Sequence, residues 1–137
     1  MDKESLLKFF NSNSNTLMQT LDIEFVDFGD DFVIAKMPVT SKVHQPEGVL
    51  HGGATVALAE TVGSSAAFIL NKNTNRTIRG IEISANHLKS ISNGYIYATA
   101  RPINKGKTIQ LWEIKVTNEE NELISICKLT TYSRKKK

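Results

Sequence analysis

The stretch GGATVALAETVGSSAAFIL, from Gly52 to Leu70, decides the fold of this 137-residue chain. Nearly all of its residues are small or apolar, and Glu60 is the only one that can carry a charge. The pattern predicts one long helix, over about residues 53–70, which is apolar nearly all round and must therefore be enclosed. An ionised carboxylate inside such a helix is costly unless it is paired, protonated or used. Glu60 is therefore the first candidate for a functional residue.

The length of this stretch is also close to that of a membrane span. We predict a core helix instead, because the segment is rich in Gly, Ala, Ser and Thr and has a glutamate near its centre. Its neighbours also have the patterns of strands rather than of loops. We therefore expect no membrane partner.

The segments on either side of the helix have the composition and alternation of strands. Six strands are predicted, over residues 21–28, 32–39, 77–90, 95–103, 109–118 and 122–132. The first two form a hairpin around residues 29–31, and NKNTN at 71–75 ends the helix. Short breaks between the last four strands predict an antiparallel meander. In the strand over 109–118, charged residues alternate with apolar ones, which predicts one buried and one solvated face.

The order of these elements predicts an α+β fold with a curved antiparallel sheet wrapped around one long central helix. Residues 1–137 form a single domain, with a helical segment in about 1–20 (a short helix over 4–10) and a basic tail at 134–137 that we expect to be disordered. The net charge of +3 is mild, and few aromatic residues accompany the basic ones, so no nucleic-acid partner is expected. The one cysteine, Cys127, lies in an apolar run and is predicted to be buried. The charged N-terminal residues lack the apolar core of a signal peptide, so a cytoplasmic location is expected.

The start of the central helix suggests a site for a developing negative charge. Gly52 and Gly53 follow His51, and the first N–H groups of a helix lack internal partners and carry partial positive charge. Such N–H groups can polarise a carbonyl under attack, although a simple turn explains these three residues equally well. Glu60 lies eight residues after Gly52, or ~12 Å along the helix axis. If Glu60 is catalytic, the two groups would therefore come from two chains of a dimer.

Ser64 follows Glu60 by four residues and lies on the same face of the helix, where it can hydrogen-bond the carboxylate or a water. The alternative role for Glu60 is a structural ion pair inside an interface, for example with Arg79 or Lys89. The residues alone leave both roles open.

The segments QPEGVLHGGATVALAETVGS and GIEISANHLKS, followed by LWEI and LTT, resemble the hotdog-fold acyl-CoA thioesterases. More narrowly, they resemble the group that includes dihydroxynaphthoyl-CoA thioesterase of menaquinone synthesis, the enterobactin proofreading thioesterase and one class of hydroxybenzoyl-CoA thioesterase. The resemblance covers about residues 20 to 132, and it implies hydrolysis of an aromatic or medium-chain acyl-CoA. It also implies a homodimer with shared active sites, assembled into a homotetramer as a dimer of dimers.

The resemblance also implies a role for individual residues. Glu60 would be the catalytic carboxylate, as nucleophile or as the base for water, and the Gly52 N–H would polarise the thioester carbonyl. Gln45 would lie near that carbonyl or the water, His51 would hold the thioester end, and Ser64 would support the carboxylate. Ser65 would lie near the acyl pocket. The residues implied along the pantetheine and nucleotide of CoA are Gly80, His87, Leu88, Lys89 and Ser90, and those implied at its phosphates are Asn104, Lys105, Gly106, Lys107, Thr108 and Ile109.

The two lysines around Gly106 suit a polyphosphate by their charge alone, although a solvated hairpin loop explains them equally well. A thioester is already activated, so no cofactor and no metal are expected, and coenzyme A is part of the substrate.

Two other functions share this fold by resemblance. Hydratases and dehydratases with the hotdog fold use a catalytic histidine, but here the helix has none and only His87 lies on the right part of the sheet. A non-catalytic acyl-CoA sensor would carry a DNA-binding segment, and only about twenty residues precede the first predicted strand.

Overall fold

The computed structural model describes residues 2–12, 14–71 and 75–137. Its helices are α1 (Lys3–Asn11), α2 (Leu17–Thr20) and α3 (Gly52–Leu70), with a 3-10 turn at Ser41–Val43. Its strands are β1 (Glu24–Phe28), β2 (Val33–Pro38), β3 (Arg76–His87), β4 (Tyr95–Lys105), β5 (Ile109–Thr117) and β6 (Leu123–Lys135). The long helix and all six strands are thus confirmed to within three residues at each end. The short helix α2 was not predicted, and part of the predicted stop at 71–75 lies outside the described residues.

The six strands form one antiparallel sheet in the order β1-β2-β4-β5-β6-β3. The predicted β1–β2 hairpin and the β4-β5-β6 meander are both present. The expected pairing of β3 with β4 is wrong, because β3 pairs with β6 along its whole length and forms one edge of the sheet. The connection after His87 therefore crosses to the other half of the sheet, past the start of α3.

The helix α3 packs against β2, β3, β4, β5 and β6, as a helix apolar on most faces requires. Its length and composition would also suit a membrane span, but the core helices of globular proteins can have the same length and composition. Alternate residues of β5 are buried beneath it, as the alternation predicted. The buried residues of α3 are Thr55, Leu58, Ala59, Val62, Gly63, Ala66 and Ala67.

The expected disorder of the basic tail is wrong for its first two residues. Arg134 and Lys135 belong to β6 and pair with Thr77 and Arg76 of β3. Hydrogen bonds between the two backbones hold this end of the chain, whatever its charge. Cys127, on the same strand, is buried as predicted, and burial raises the pKa of its thiol to about 11.

Candidate active site

The first turn of α3 leaves one N–H group free. His51 is the N-cap, and its Nδ1 accepts a hydrogen bond from the N–H of Gly53 at 2.7 Å. The carbonyl of His51 accepts from Ala54 and Thr55, at 3.0 Å and 3.3 Å. In the part of the chain that the structure describes, the N–H of Gly52 has no acceptor. It is therefore available to a ligand oxygen. Since Nδ1 of His51 accepts, a neutral ring carries its proton on Nε2.

A cavity of about 270 Å³ opens beside this turn, between α3, the loop before it and the end of β3. It brings together residues that are up to 80 positions apart in sequence, from Gln45 to Ser125. Six predicted site residues line it, namely Gln45, Gly52, His87, Leu88, Lys89 and Ser90. His51 is exposed at its rim, where it caps the helix.

The ring of His87 lies directly against Gly52. A Cβ atom at Gly52 would come within 2.7 Å of Nε2 of His87, so only glycine fits there without moving the ring. The ring is fixed at its other nitrogen, since Nδ1 lies 2.8 Å from the hydroxyl of Ser125, which is fully buried on β6. The imidazole therefore lies next to the free N–H.

Gln45 lies in a tight turn that orients its side-chain amide. Its backbone N–H donates to Val49 at 2.8 Å, and its carbonyl accepts from Gly48, whose φ of +79° requires glycine or strain. The N–H of Glu47 donates to Oε1 of Gln45. The Nε2 group has no acceptor among the described residues, so it remains free to donate into the cavity.

Glu60 is half-buried on another face of α3, in an open groove of about 500 Å³ that it shares with Gly53, Ser64 and Leu17. Its carboxylate lies against β3, because a Cβ atom at Gly80 would come within 2.8 Å of Oε2. Gly80 therefore accommodates the carboxylate. Among the described residues, no hydrogen bond joins Glu60 to Ser64.

The alternative role of Glu60, a structural ion pair, is not found within the chain. Over the described ranges, no lysine or arginine comes within 4.0 Å of its carboxylate. The guanidinium of Arg79 donates to the carbonyl of Ile78 at 3.0 Å. Lys89 pairs with Glu122, and this hydrogen bond, with that of Asn118, holds the pKa of the Glu122 carboxyl below its usual value. Glu60 is thus a half-buried carboxylate with no cation beside it among the residues that the structure describes.

The lysine loop between β4 and β5 is far from Gly52. Lys105, Gly106 and Lys107 line a third cavity, of about 370 Å³, at the C-terminal end of α3. That end lies ~27 Å along the helix axis from Gly52. Three other predicted residues of this loop do not line the cavity. Asn104 pairs with Leu111, the carbonyl of Thr108 accepts from Ser133 at 2.7 Å, and the side chain of Ile109 is exposed.

Within one chain, the predicted residues therefore form three separate clusters along α3, at Gly52, at Glu60 and at the lysine loop. Ser65 lines none of these three cavities and is half-buried on α3. A single subunit does not place the free N–H and the carboxylate in one cavity.

Residues 47–125 match the family model of the thioesterase superfamily. The chain is 41% identical to a thioesterase of Haemophilus influenzae with solved structure, at a TM-score of 0.89, over 98% of this chain and 92% of that one. It is 39% identical to the proofreading thioesterase EntH of Cronobacter turicensis, over 91% of each chain. It is 37% identical to a solved thioesterase of Staphylococcus aureus, at a TM-score of 0.82, over 86% of this chain and 98% of that one. The chain belongs to the thioesterase superfamily.

This membership decides among the functions that the sequence left open. The fold is that of the hotdog thioesterases, and the protein is a thioester hydrolase. Of the three functions considered from the sequence, thioester hydrolysis is the one that the relatives support.

Some residues that line or support the candidate site of this hotdog thioesterase were not predicted from the sequence. Leu17, on the unpredicted helix α2, lines the groove of Glu60 although it follows a polar run. Ser125 fixes His87 from within the apolar run of β6, where its polarity was the only available signal. Arg76 lines the cavity of the lysine loop, and in the sequence nothing distinguishes it from a solvated basic residue after a turn.

Proposed function

We propose that this protein hydrolyses an acyl-CoA thioester to the free acid and CoA at a site shared by two subunits. One observation carries the proposal: Glu60 is a half-buried carboxylate with no cation near it in the described part of the chain, and the free N–H of Gly52 lies ~12 Å away along the same helix. A carboxylate can attack a thioester or activate water, and a free helix N–H can hold the carbonyl oxygen. The two groups are complementary, but they are too far apart to act on one carbon within a single chain.

A twofold dimer joined along β3 would bring them together. The strand β3 is an edge of the sheet, and Ile81 at its bulge is 57% exposed. An exposed edge strand with apolar side chains is a template for pairing with another chain. In such an isologous dimer the two α3 helices run antiparallel, and an axis passing near Val56 places Gly52 of one chain opposite Glu60 of the partner subunit. We expect two such dimers to form a tetramer, as the family resemblance implies.

In the proposed reaction, the carbonyl oxygen of the substrate accepts hydrogen bonds from the N–H of Gly52 and from Nε2 of Gln45. The partner's Glu60 either takes a proton from a water that adds to the carbonyl carbon, or attacks that carbon itself. The C–S bond then breaks, and CoA leaves as a thiolate that takes up a proton. If Glu60 is the nucleophile, water afterwards hydrolyses the acyl-enzyme anhydride. Neither route requires a metal or a redox cofactor.

The spacing of Gln45 and Glu60 supports their roles. The thioesterase of Staphylococcus aureus has been solved as two single variants, in which a glutamine or a glutamate is replaced by alanine. The two replaced residues are 15 positions apart, and Gln45 and Glu60 are separated by the same 15 positions.

For the acyl group we propose an aromatic or medium-chain acid, with dihydroxynaphthoyl-CoA of menaquinone synthesis as one member of the class. The groove of Glu60 supports an apolar acyl group, because Leu17, Val56 and Ala57 line it. We also propose a cytoplasmic location, where a free buried thiol such as Cys127 stays reduced.

A panel of acyl-CoA thioesters, with free CoA detected by a thiol-trapping reagent, tests the reaction class and the preferred acyl group in one experiment. We expect turnover of aromatic or medium-chain members. Glu60→Gln should lower kcat by orders of magnitude with little change in KM, because the shape is kept and the base is lost.

Glu113→Gln is the matched control, since Glu113 is on β5, remote from both clusters, and its variant should behave as wild type. Near-normal turnover by Glu60→Gln would remove Glu60 from the mechanism. Absence of CoA release across the whole panel would remove acyl-CoA as the substrate class.

A further inference from the structure

A buried arginine without a carboxylate partner lies at the C-terminal end of α3. Arg76 is 8% exposed, and its guanidinium donates twice to Ser133, from Nε to the hydroxyl at 2.6 Å and from Nη2 to the carbonyl at 2.8 Å. These acceptors are neutral. Over the described ranges no aspartate or glutamate comes within 4.0 Å of Arg76. An unneutralised charge is unfavourable in a buried position, so a missing anionic partner is indicated.

Arg76 shares its cavity with two more cations. Lys105 and Lys107 line the same space of about 370 Å³, and the described residues that line it include no aspartate or glutamate. A cavity with three positive groups and no acidic one selects for a ligand with several negative charges. A planar guanidinium can contact two oxygens of one phosphate, whereas a lysine acts as a point charge.

A buried network holds the arginine and the lysine loop in a fixed relation. Nε2 of Gln110 donates to the carbonyls of Gly106 and Lys107, at 2.7 Å and 3.3 Å. Its Oε1 accepts from Thr131 at 2.7 Å, and Thr131 accepts in turn from the indole of Trp112. Gln110, Thr131 and Trp112 are all buried.

Ser133 connects the two parts of the cavity. It binds Arg76 through its hydroxyl and carbonyl, and its N–H donates to the carbonyl of Thr108 in the lysine loop at 2.7 Å. Hydrogen bonds thus hold the Arg76 guanidinium and the backbone of the lysine loop in place before any ligand arrives, which is typical of a binding site rather than of a solvated loop.

The partial negative charge at the C-terminal end of α3 is too small to balance these three cations. The last carbonyls of a helix carry about half an elementary negative charge in total. One cation would more than balance it, and three cations leave the cavity strongly positive. An anion from outside the chain is needed.

We propose that Arg76 binds a phosphate group of CoA and is a specificity-determining residue for CoA over phosphate-free thioesters. This inference rests on the proposed function. On the same helix as Glu60, the cavity extends from Ala67 to the helix end at Leu70, which is ~10 to ~15 Å from Glu60 along the axis, whereas Leu70 is ~27 Å from Gly52. The extended pantetheine arm of CoA is about as long as four extended peptide units, so it reaches roughly 15 Å. The nucleotide therefore lies on the subunit that provides Glu60.

Calorimetric titration with CoA, with pantetheine and with inorganic pyrophosphate tests this assignment by equilibrium binding, without any turnover. In Arg76→Gln the Kd for CoA should rise roughly tenfold to a hundredfold, the loss expected for a charge-assisted hydrogen bond. The Kd for pantetheine should not change, and binding of pyrophosphate should weaken as that of CoA does. Arg101→Gln is the matched control, because Arg101 is exposed on β4, pairs with Asp31 and carries the same charge. Its CoA affinity should equal that of wild type.

An unchanged CoA affinity in a folded Arg76→Gln variant would overturn the assignment, and so would equal losses for CoA and pantetheine. If the glutamine variant does not fold, Arg76→Lys is used instead. The lysine keeps the positive charge but cannot contact two oxygens of one phosphate, so CoA should bind more weakly and pantetheine should bind as in wild type. Wild type that fails to bind CoA would instead overturn the proposed function.

Discussion

At two glycines of the candidate site, another side chain already occupies the space that a Cβ atom would need, so a larger residue would displace that side chain. The ring of His87 lies against Gly52, and the carboxylate of Glu60 lies against Gly80. Neither glycine has a positive φ, so the constraint is contact and not backbone conformation. The family resemblance placed Gly80 along the pantetheine. The structure adds that Gly80 sets the position of the carboxylate.

We predict that Gly80→Ala lowers kcat, because the new methyl group would displace Oε2 of Glu60 from its position 2.8 Å away. A displacement of about 1 Å at a reacting group can reduce the rate about a hundredfold. Steady-state kinetics on the best acyl-CoA of the panel measures this. Ser84→Ala, an exposed change on the same strand, is the control and should leave kcat unaltered. A kcat for Gly80→Ala equal to that of the control would show that the contact does not position the carboxylate.

The sequence predicted Glu60 and Gly52 because each breaks a local pattern, a charge in an apolar helix and a glycine pair at its start. It did not predict the contact of His87 with Gly52 or the charge of Arg76 in a cavity. His87 is 35 positions from Gly52, and Arg76 is 29 positions from Lys105, so these side chains meet only through the fold. Local patterns carry no information about such meetings.

At the scale of elements, small residues let α3 approach the sheet closely. A Cβ atom at Gly63 would lie 2.5 Å from Cδ2 of Leu129 on β6 and 3.3 Å from Cδ1 of Ile114 on β5. The backbone of the helix therefore packs directly on the side chains of these strands, and this close packing keeps Glu60 in contact with Gly80 on β3.

We predict that Gly63→Ala lowers the free energy of unfolding by about 1–2 kcal/mol. Overpacking a tight core costs about 1–3 kcal/mol, and the higher helix propensity of alanine offsets up to about 1 kcal/mol of it. Urea titration at fixed protein concentration measures the change. In the background Leu129→Ala, which removes the clashing methyl, the same substitution should be neutral or stabilising. A penalty that persists unchanged in that background would contradict the packing argument.

The positions of the strands could be predicted from the sequence, but the order in which they pair could be predicted only in part. Alternation identified β5 and its buried face, and short turns identified the β1–β2 hairpin and the β4-β5-β6 meander. The short break between β3 and β4 indicated that they pair, but the chain uses residues 88–94 to cross from one half of the sheet to the other. Pairing of β3 with β6 extends the strand to the tail residues Arg134 and Lys135, whose side chains stay exposed, and their charge gave no sign of this pairing.

At the scale of the whole molecule, one chain does not bring the two proposed catalytic groups into one cavity. The free N–H of Gly52 and the carboxylate of Glu60 open into different cavities, and the edge strand β3 is open to a second copy. The central claim is that each catalytic site combines Gly52 of one subunit with Glu60 of the partner subunit. Sequence spacing predicted this separation from the rise of the helix alone.

Complementation of two inactive variants tests this claim most directly. Glu60→Gln removes the carboxylate, and Gly52→Pro removes the N–H donor. Gly52→Ala is the control for Gly52→Pro, because it adds the same Cβ against His87 and keeps the N–H. Each inactive variant is assayed alone, and the two are then coexpressed so that subunits assemble at random. Half of the dimers would be mixed and each mixed dimer would hold one intact site, so CoA release should recover to about a quarter of the wild-type rate. A coexpressed mixture no more active than the separate variants would contradict the account and place each site within a single chain.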